Sequence, residues 1–204
     1  MAWLEPVTLA GEHASLEPLA PAHEAALAAA CADGDLWALW YTTVPRPEEM
    51  GAEIERRLAL QRSGSMLPFA VRHVASGRLV GMTTYMNVDA VNRRVEIGST
   101  WYAASVQRTP LNTECKLMLL RNAFERLDCI AVEFRTHFMN RQSRQAIERL
   151  GAKLDGVLRS HMRMAGGSLR DTAVYSVTAA EWPAVRANLE WQLRRPRSAA
   201  RAAA

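Results

Sequence analysis

The feature that most constrains how this chain folds is a change of period around residue 107. From Val95 to Tyr102 the residues alternate, with Val95, Ile97, Ser99 and Trp101 on one face and Glu96, Gly98, Thr100 and Tyr102 on the other, as a strand requires. Beyond the loop, Leu117, Leu120, Phe124 and Leu127 recur at helical spacing, while Lys116, Arg121, Glu125 and Arg126 fall largely elsewhere. The segment Gln107-Arg108-Thr109-Pro110-Leu111-Asn112-Thr113-Glu114 is therefore a strand-to-helix turn, with Thr113 placed to cap the helix. The N–H groups of a first helical turn have no intrahelical partner and sit at the positive end of the dipole, so they suit an anion, a phosphate foremost. The same residues read equally well as an ordinary capped connection.

The remaining chain supplies the partners of this unit. Val7-Thr8-Leu9 and Ala14-Ser15-Leu16 read as a short hairpin, the Ala-rich run 22–31 as a helix ended by Asp33-Gly34, and residues 48–61 as a second helix. Residues 66–74 and 79–88 read as strands joined by a turn with Gly77, and Ile130 to Phe138 as another strand. Asn140 is placed to cap a helix that stops at Gly151; strands over 153–164 and 169–178 and a helix over 181–193 follow. The expectation is one α/β (α+β) domain over residues 1–193, with a mixed, mostly antiparallel sheet of about seven strands flanked by helices. A basic Ala/Arg-rich tail at 194–204 reads as disordered.

Composition narrows the function. The formal charge of +4 falls to zero without Arg194, Arg195, Arg197 and Arg201, all in the tail, so the charge is no sign of nucleic-acid binding. The three cysteines, Cys31, Cys115 and Cys129, lack metal or redox spacing and read as reduced, packed thiols of a cytoplasmic protein. No run approaches the ~20 apolar residues of a membrane span. The five histidines show no ligand spacing with carboxylates, and no metal is expected. Trp37, Trp40 and Tyr41 are placed to wall a pocket for an apolar or cationic substrate, although core packing is the commoner fate of such rings. His161 and Arg163 share a strand face, either lining a cleft or simply solvated.

Three stretches carry a resemblance. Glu96-Ile97-Gly98 with Trp101, then Gln107 to Asn112 and Thr113-Glu114-Cys115, is similar to an acyl-CoA loop of the form Q/R-x-x-G-x-G/A followed by T-E-A. Asn140-x-x-Ser143-Arg144 with Leu150-Gly151-Ala152 and Asp155-Gly156 is similar to N-x-x-S-x-x-x-x-x-x-L-G-F and E-G. Leu158-Arg159, Arg170-Asp171-Thr172 and Tyr175-Ser176 match the closing strand pair. The chain thus resembles the GNAT superfamily of acetyl-CoA-dependent N-acetyltransferases, in its RimJ/RimL-like branch. It departs where two small loop residues are replaced by Pro110 and Asn112: proline removes an N–H, asparagine tolerates left-handed backbone, and Arg108 offers a compensating charge.

The resemblance implies direct attack of a primary amine on acetyl-CoA, the amine being a protein N-terminus or a small molecule. It implies pantetheine along Trp101, Tyr102 and Ala103, and pyrophosphate on the amides of Gln107, Arg108, Thr109, Leu111, Asn112 and Thr113. Asn140 would then bond the pantetheine amide, Glu96 would be the base, and Ser143 would serve the departing thiolate. The plainer alternatives are a Glu96 ion pair with an arginine such as Arg94, an N-cap at Asn140 and an ordinary first-turn serine. Tyr175 and Tyr102 are outside candidates for the acid. A non-catalytic acyl-CoA-binding module or scaffold with a degenerate loop is the alternative function, and a homodimer is compatible with the resemblance.

Overall fold

The structure, a computed structural model, describes residues 3–164 and 166–195. Its sheet has eight strands: β1 (Leu9–Ala10), β2 (Ala14–Pro18), β3 (Met66–His73), β4 (Leu79–Asp89), β5 (Arg94–Tyr102), β6 (Ala131–His137), β7 (Lys153–Arg163) and β8 (Leu169–Thr178). They lie in the order β1-β2-β3-β4-β5-β6-β8-β7, antiparallel throughout except for the parallel pair β5–β6. The helices are α1 (Glu24–Ala32), α2 (Met50–Arg62), α3 (Leu111–Arg121), α4 (Arg141–Leu150) and α5 (Trp182–Arg194). Arg194 closes α5, and the expected tail beyond Arg195 lies outside the described residues.

Side-chain bonds sort the helices onto the two faces of the sheet. Arg57 of α2 donates to Thr84 Oγ1 at 2.8 Å on one face. On the other, Tyr85 donates to the Leu119 carbonyl of α3 at 2.5 Å, and the Tyr175 hydroxyl is held by Arg144 and Glu148 of α4. The α4 ends are those expected: Asn140 Oδ1 accepts the Ser143 N–H at 3.0 Å, and Gly151 adopts φ 102°, a left-handed conformation that glycine enters without a Cβ penalty.

Around the period change the structure departs from expectation in several respects. Helix α3 begins at Leu111 with Pro110 as its N-cap, so Thr113 is not the cap; it lies buried in the first turn, where Arg149 reaches its hydroxyl. The left-handed residue of the loop is Arg108, φ 60°, and Asn112 is helical. The helix relaxes into a π-helical stretch over Asn122–Arg126. Lys116 does not join the solvated charges: it is buried, bonded to Thr83 Oγ1 and Thr100 Oγ1 at 3.2 and 2.8 Å.

The expected alternation of β5 also fails, for a definite reason. Gly98 pairs with Thr84 but Trp101 pairs with Met82, so Ser99 and Thr100 together oppose the single residue Thr83. Ser99 has φ 46°. One extra residue in a strand reverses every face beyond it. Trp101 consequently shares the face of Glu96 and Gly98, where strict alternation put it with Val95 and Ile97. Arg57 Nη1 donates to the Ser99 carbonyl at 3.2 Å and so braces this bulge from α2.

Candidate active site

Strands β5 and β6 pair only at Arg94↔Ala131, Val95↔Val132 and Glu96↔Glu133. Beyond Glu96 the bulged half of β5 follows β4 and the outer half of β6 follows β8, so the sheet forks. A fork leaves edge backbone groups to be satisfied from outside the ladder. Its arms lead to the two helix starts singled out in the sequence: β5 to the loop 103–110 and α3, β6 to Asn140 and α4.

Glu96 stands at the last paired rung, only 4% exposed. Its Oε2 accepts from Asn87 Nδ2 at 2.6 Å and lies 3.5 Å from Arg135 Nε. The partner anticipated for it, Arg94, instead pairs with Glu133, which also binds Arg135 at 2.8 Å. Burial raises the Glu96 pKa above the ordinary carboxylate value, against the opposing pull of Asn87 and Arg135. Gly98 makes room for this carboxylate: a Cβ there would stand 2.7 Å from Glu96 Oε1 and from Met86 Sδ. The result is a buried carboxylate with a proton affinity above that of a surface glutamate.

The expected cofactor residues divide by what they offer. Trp101, Tyr102 and Leu111 are buried and contribute side chains to the core, leaving backbone for a ligand. Ala103 donates its N–H to Val80. The Gln107 carboxamide braces the loop by donating to the Tyr102 carbonyl at 2.9 Å, and Thr109 does so by donating to the Val106 carbonyl at 2.6 Å. Arg108 is exposed and Asn112 half-exposed. The first intrahelical bond of α3 runs from the Glu114 N–H to the Pro110 carbonyl at 3.0 Å. The Leu111 N–H donates to Thr109 Oγ1 at 3.4 Å, and the N–H groups of Asn112 and Thr113 form the helix terminus facing the loop; because Pro110 is the N-cap, its missing N–H removes no donor from that turn.

Asn140 uses Oδ1 as a cap, and its Nδ2 makes no bond among the described residues; the Ser143 hydroxyl likewise makes none there. Both lie at the β6 arm on the α3–α5 side, across the sheet from Glu96. Tyr175 is buried with its hydroxyl bonded to Arg144 and Glu148, a structural setting. Cys115 is fully buried and its thiol is pushed up to about 12 by desolvation, which accords with a packed thiol.

Trp37 packs half-buried against the core, whereas Trp40 is exposed and reaches across to His137 of β6 on the Glu96 face. Its ring meets Tyr41 at 5.5 Å and His137 at 5.1 Å, both edge-on. His137 is one of the five histidines whose spacing carries no ligand signal in the sequence. The alternation Glu133, Arg135, His137 was the available signal that it shares the Glu96 face, but its value depended on the register Glu96↔Glu133. Two clefts of about 370 and 250 Å³, one between α1 and the β3–β4 turn and the other beside Arg141 and Arg144 of α4, are lined by neither Glu96 nor His137. Among the described residues no group of three His, Cys, Asp or Glu could hold a metal, and no helix is long and apolar enough to cross a membrane.

The fork thus brings together a buried carboxylate at its crotch and a helix N-terminus on one arm. The chain belongs to the acetyltransferase (GNAT) domain family, whose profile matches residues 14–153. It is similar to YdaF of Bacillus subtilis (strain 168), whose name assigns it provisionally as a ribosomal N-acetyltransferase: 33% identity over 106 residues, 52% of this chain and 57% of YdaF. The chain thus matches somewhat over half the length of that relative. A GCN5-related N-acetyltransferase from Brucella melitensis superposes with a TM-score of 0.83 at 31% identity, covering 93% of this chain and 86% of the other. RimJ of Mycobacterium smegmatis, solved in complex with CoA-disulfide, shares the fold at a TM-score of 0.79 and 22% identity, covering 93% and 96%.

Proposed function

We propose that this protein transfers the acetyl group of acetyl-CoA to a primary α-amine, that of a protein N-terminus before that of a small molecule. The observation that carries the reading is Glu96, a buried carboxylate with a raised pKa placed where β5 and β6 part. An α-ammonium with a pKa of about 7.7–8 needs only modest help to lose its proton near neutrality, whereas a lysine side chain at about 10.4 needs far more. Arg135 beside Glu96, and Arg170 further along the same face, add positive charge that favours the neutral amine as nucleophile.

Acetyl-CoA fits the residues present on two counts. The fork leaves strand-edge backbone for a pantetheine chain, and the first turn of α3 offers N–H groups to a pyrophosphate, with Arg108 adjoining. In this reading Glu96 takes the ammonium proton, directly or through water. Asn140 Nδ2 bonds the pantetheine, and the Ser143 hydroxyl donates to the departing thiolate. Acetyl-CoA supplies the activated thioester, and the protein supplies position and protons.

The test is calorimetric titration of acetyl-CoA and dephospho-CoA at fixed salt, followed by turnover on a panel of peptide and small-molecule amines. Saturable binding with acetylation of peptide N-termini is expected. An absence of binding at millimolar acetyl-CoA, or binding with no amine acetylated, would overturn the reading.

A further inference from the structure

His137 ends β6 on the Glu96 face and is 5% exposed. Its Nδ1 accepts the Met139 N–H at 3.1 Å, which leaves the ring proton of the neutral imidazole on Nε2. Nε2 is buried and has no hydrogen-bond partner. Burial, with Arg170 nearby, lowers the pKa of this imidazole against the opposing pull of Asp171, and so favours its neutral form. A buried N–H donor without an acceptor costs free energy that a ligand oxygen would recover. The ring packed against His137 is Trp40, 59% exposed on the segment between α1 and α2, and an aromatic ring is at best a weak acceptor.

Building on the acetyltransferase reading, we propose that His137 is a specificity-determining residue whose Nε2–H binds a backbone carbonyl of an extended peptide acceptor, in the place now covered by Trp40. The spacing sets which carbonyl. His137 lies four residues beyond Glu133, the partner of Glu96 across the fork, about 13 Å along the strand. A peptide with its amine at Glu96 brings a carbonyl about three to four residues into its chain to His137, whereas a single-residue amine reaches only one of the two groups. The acceptor class that follows is a peptide N-terminus read for length and backbone, and Trp40, once displaced, covers it with an aromatic face.

The test is steady-state kinetics with tetra-alanine amide and with alanine amide as acceptors at saturating acetyl-CoA. His137→Asn retains an oxygen for the Met139 N–H but has no donor at the Nε2 position, and His137→Gln carries an N–H to that position. The expected result is a KM for tetra-alanine amide raised about tenfold in H137N and restored in H137Q, with kcat and the alanine amide constants within about twofold. Equal kcat/KM for the two acceptors in the wild-type protein, or an unchanged tetrapeptide KM in H137N, would overturn the proposal and leave the acetyltransferase reading intact. Should H137N not fold, a tetrapeptide KM in H137Q equal to that of the wild type, together with preference for the tetrapeptide, supports the proposal, and lack of that preference overturns it. Turnover of neither acceptor despite acetyl-CoA binding would overturn both.

Discussion

Glu96 and Lys116 are both ionisable groups taken out of water near the bulge, and they make opposite demands. Replacing Glu96 by Gln preserves shape and removes the base; turnover is expected to fall about 10²–10⁴-fold, with acetyl-CoA affinity little changed. Because burial raises the Glu96 pKa above 4.5, the limb on which activity climbs with pH is expected above the range of a surface glutamate, and in the Gln variant that limb disappears. Full activity in E96Q would remove it from the mechanism. Lys116, whose hydrogen-bond partners among the described residues are two hydroxyls, has its pKa pushed down by burial to about 8 from 10.5. Between those values the folded protein holds fewer protons than the unfolded one, so stability rises with pH across the window, while at pH 7 the whole cost of the buried charge is present. Lys116→Met is accordingly expected to gain on the order of 3 kcal/mol at pH 7, and the difference from wild type should shrink above pH 8. Urea unfolding of both proteins from pH 7 to 10.5 checks this, and a constant difference would contradict it.

The elements are joined by contacts that local pattern does not carry. Thr113-Glu114 reads as a helix opening, yet the Glu114 carboxylate accepts the N–H groups of Glu12, His13 and Ala14 at 2.7–2.8 Å and so fastens α3 to the β1–β2 hairpin about a hundred residues earlier. Gly11 is required at that hairpin because a Cβ would stand 2.5 Å from the Glu114 carboxyl carbon. Glu114→Ala leaves three backbone donors without their acceptor, and a loss of about 3–5 kcal/mol in urea unfolding is expected; a loss below about 1 kcal/mol would show the bonds to be dispensable. By contrast, α4 is fully local: Asn140 and Gly151 mark its ends in the sequence and in space.

At the scale of the whole molecule the proposed function rests on one parallel pair in an otherwise antiparallel sheet, and on that pair being short. The sequence by itself determined the kinds and order of the elements, the turn between β5 and α3, the ends of α4 and the family. Hydrophobic period, caps and motif spacing all act within a few residues of one another. Only the tertiary structure decided that the bulge at Ser99 turns Trp101 toward Glu96, that Arg135 and not Arg94 is the arginine beside Glu96, that Lys116 is buried, and that His137 presents an unmet donor on the same face. Each of these depends on register and on contact between strands or helices far apart in the chain. A one-residue slip in register moves a side chain from one face of a sheet to the other while leaving the local pattern unchanged.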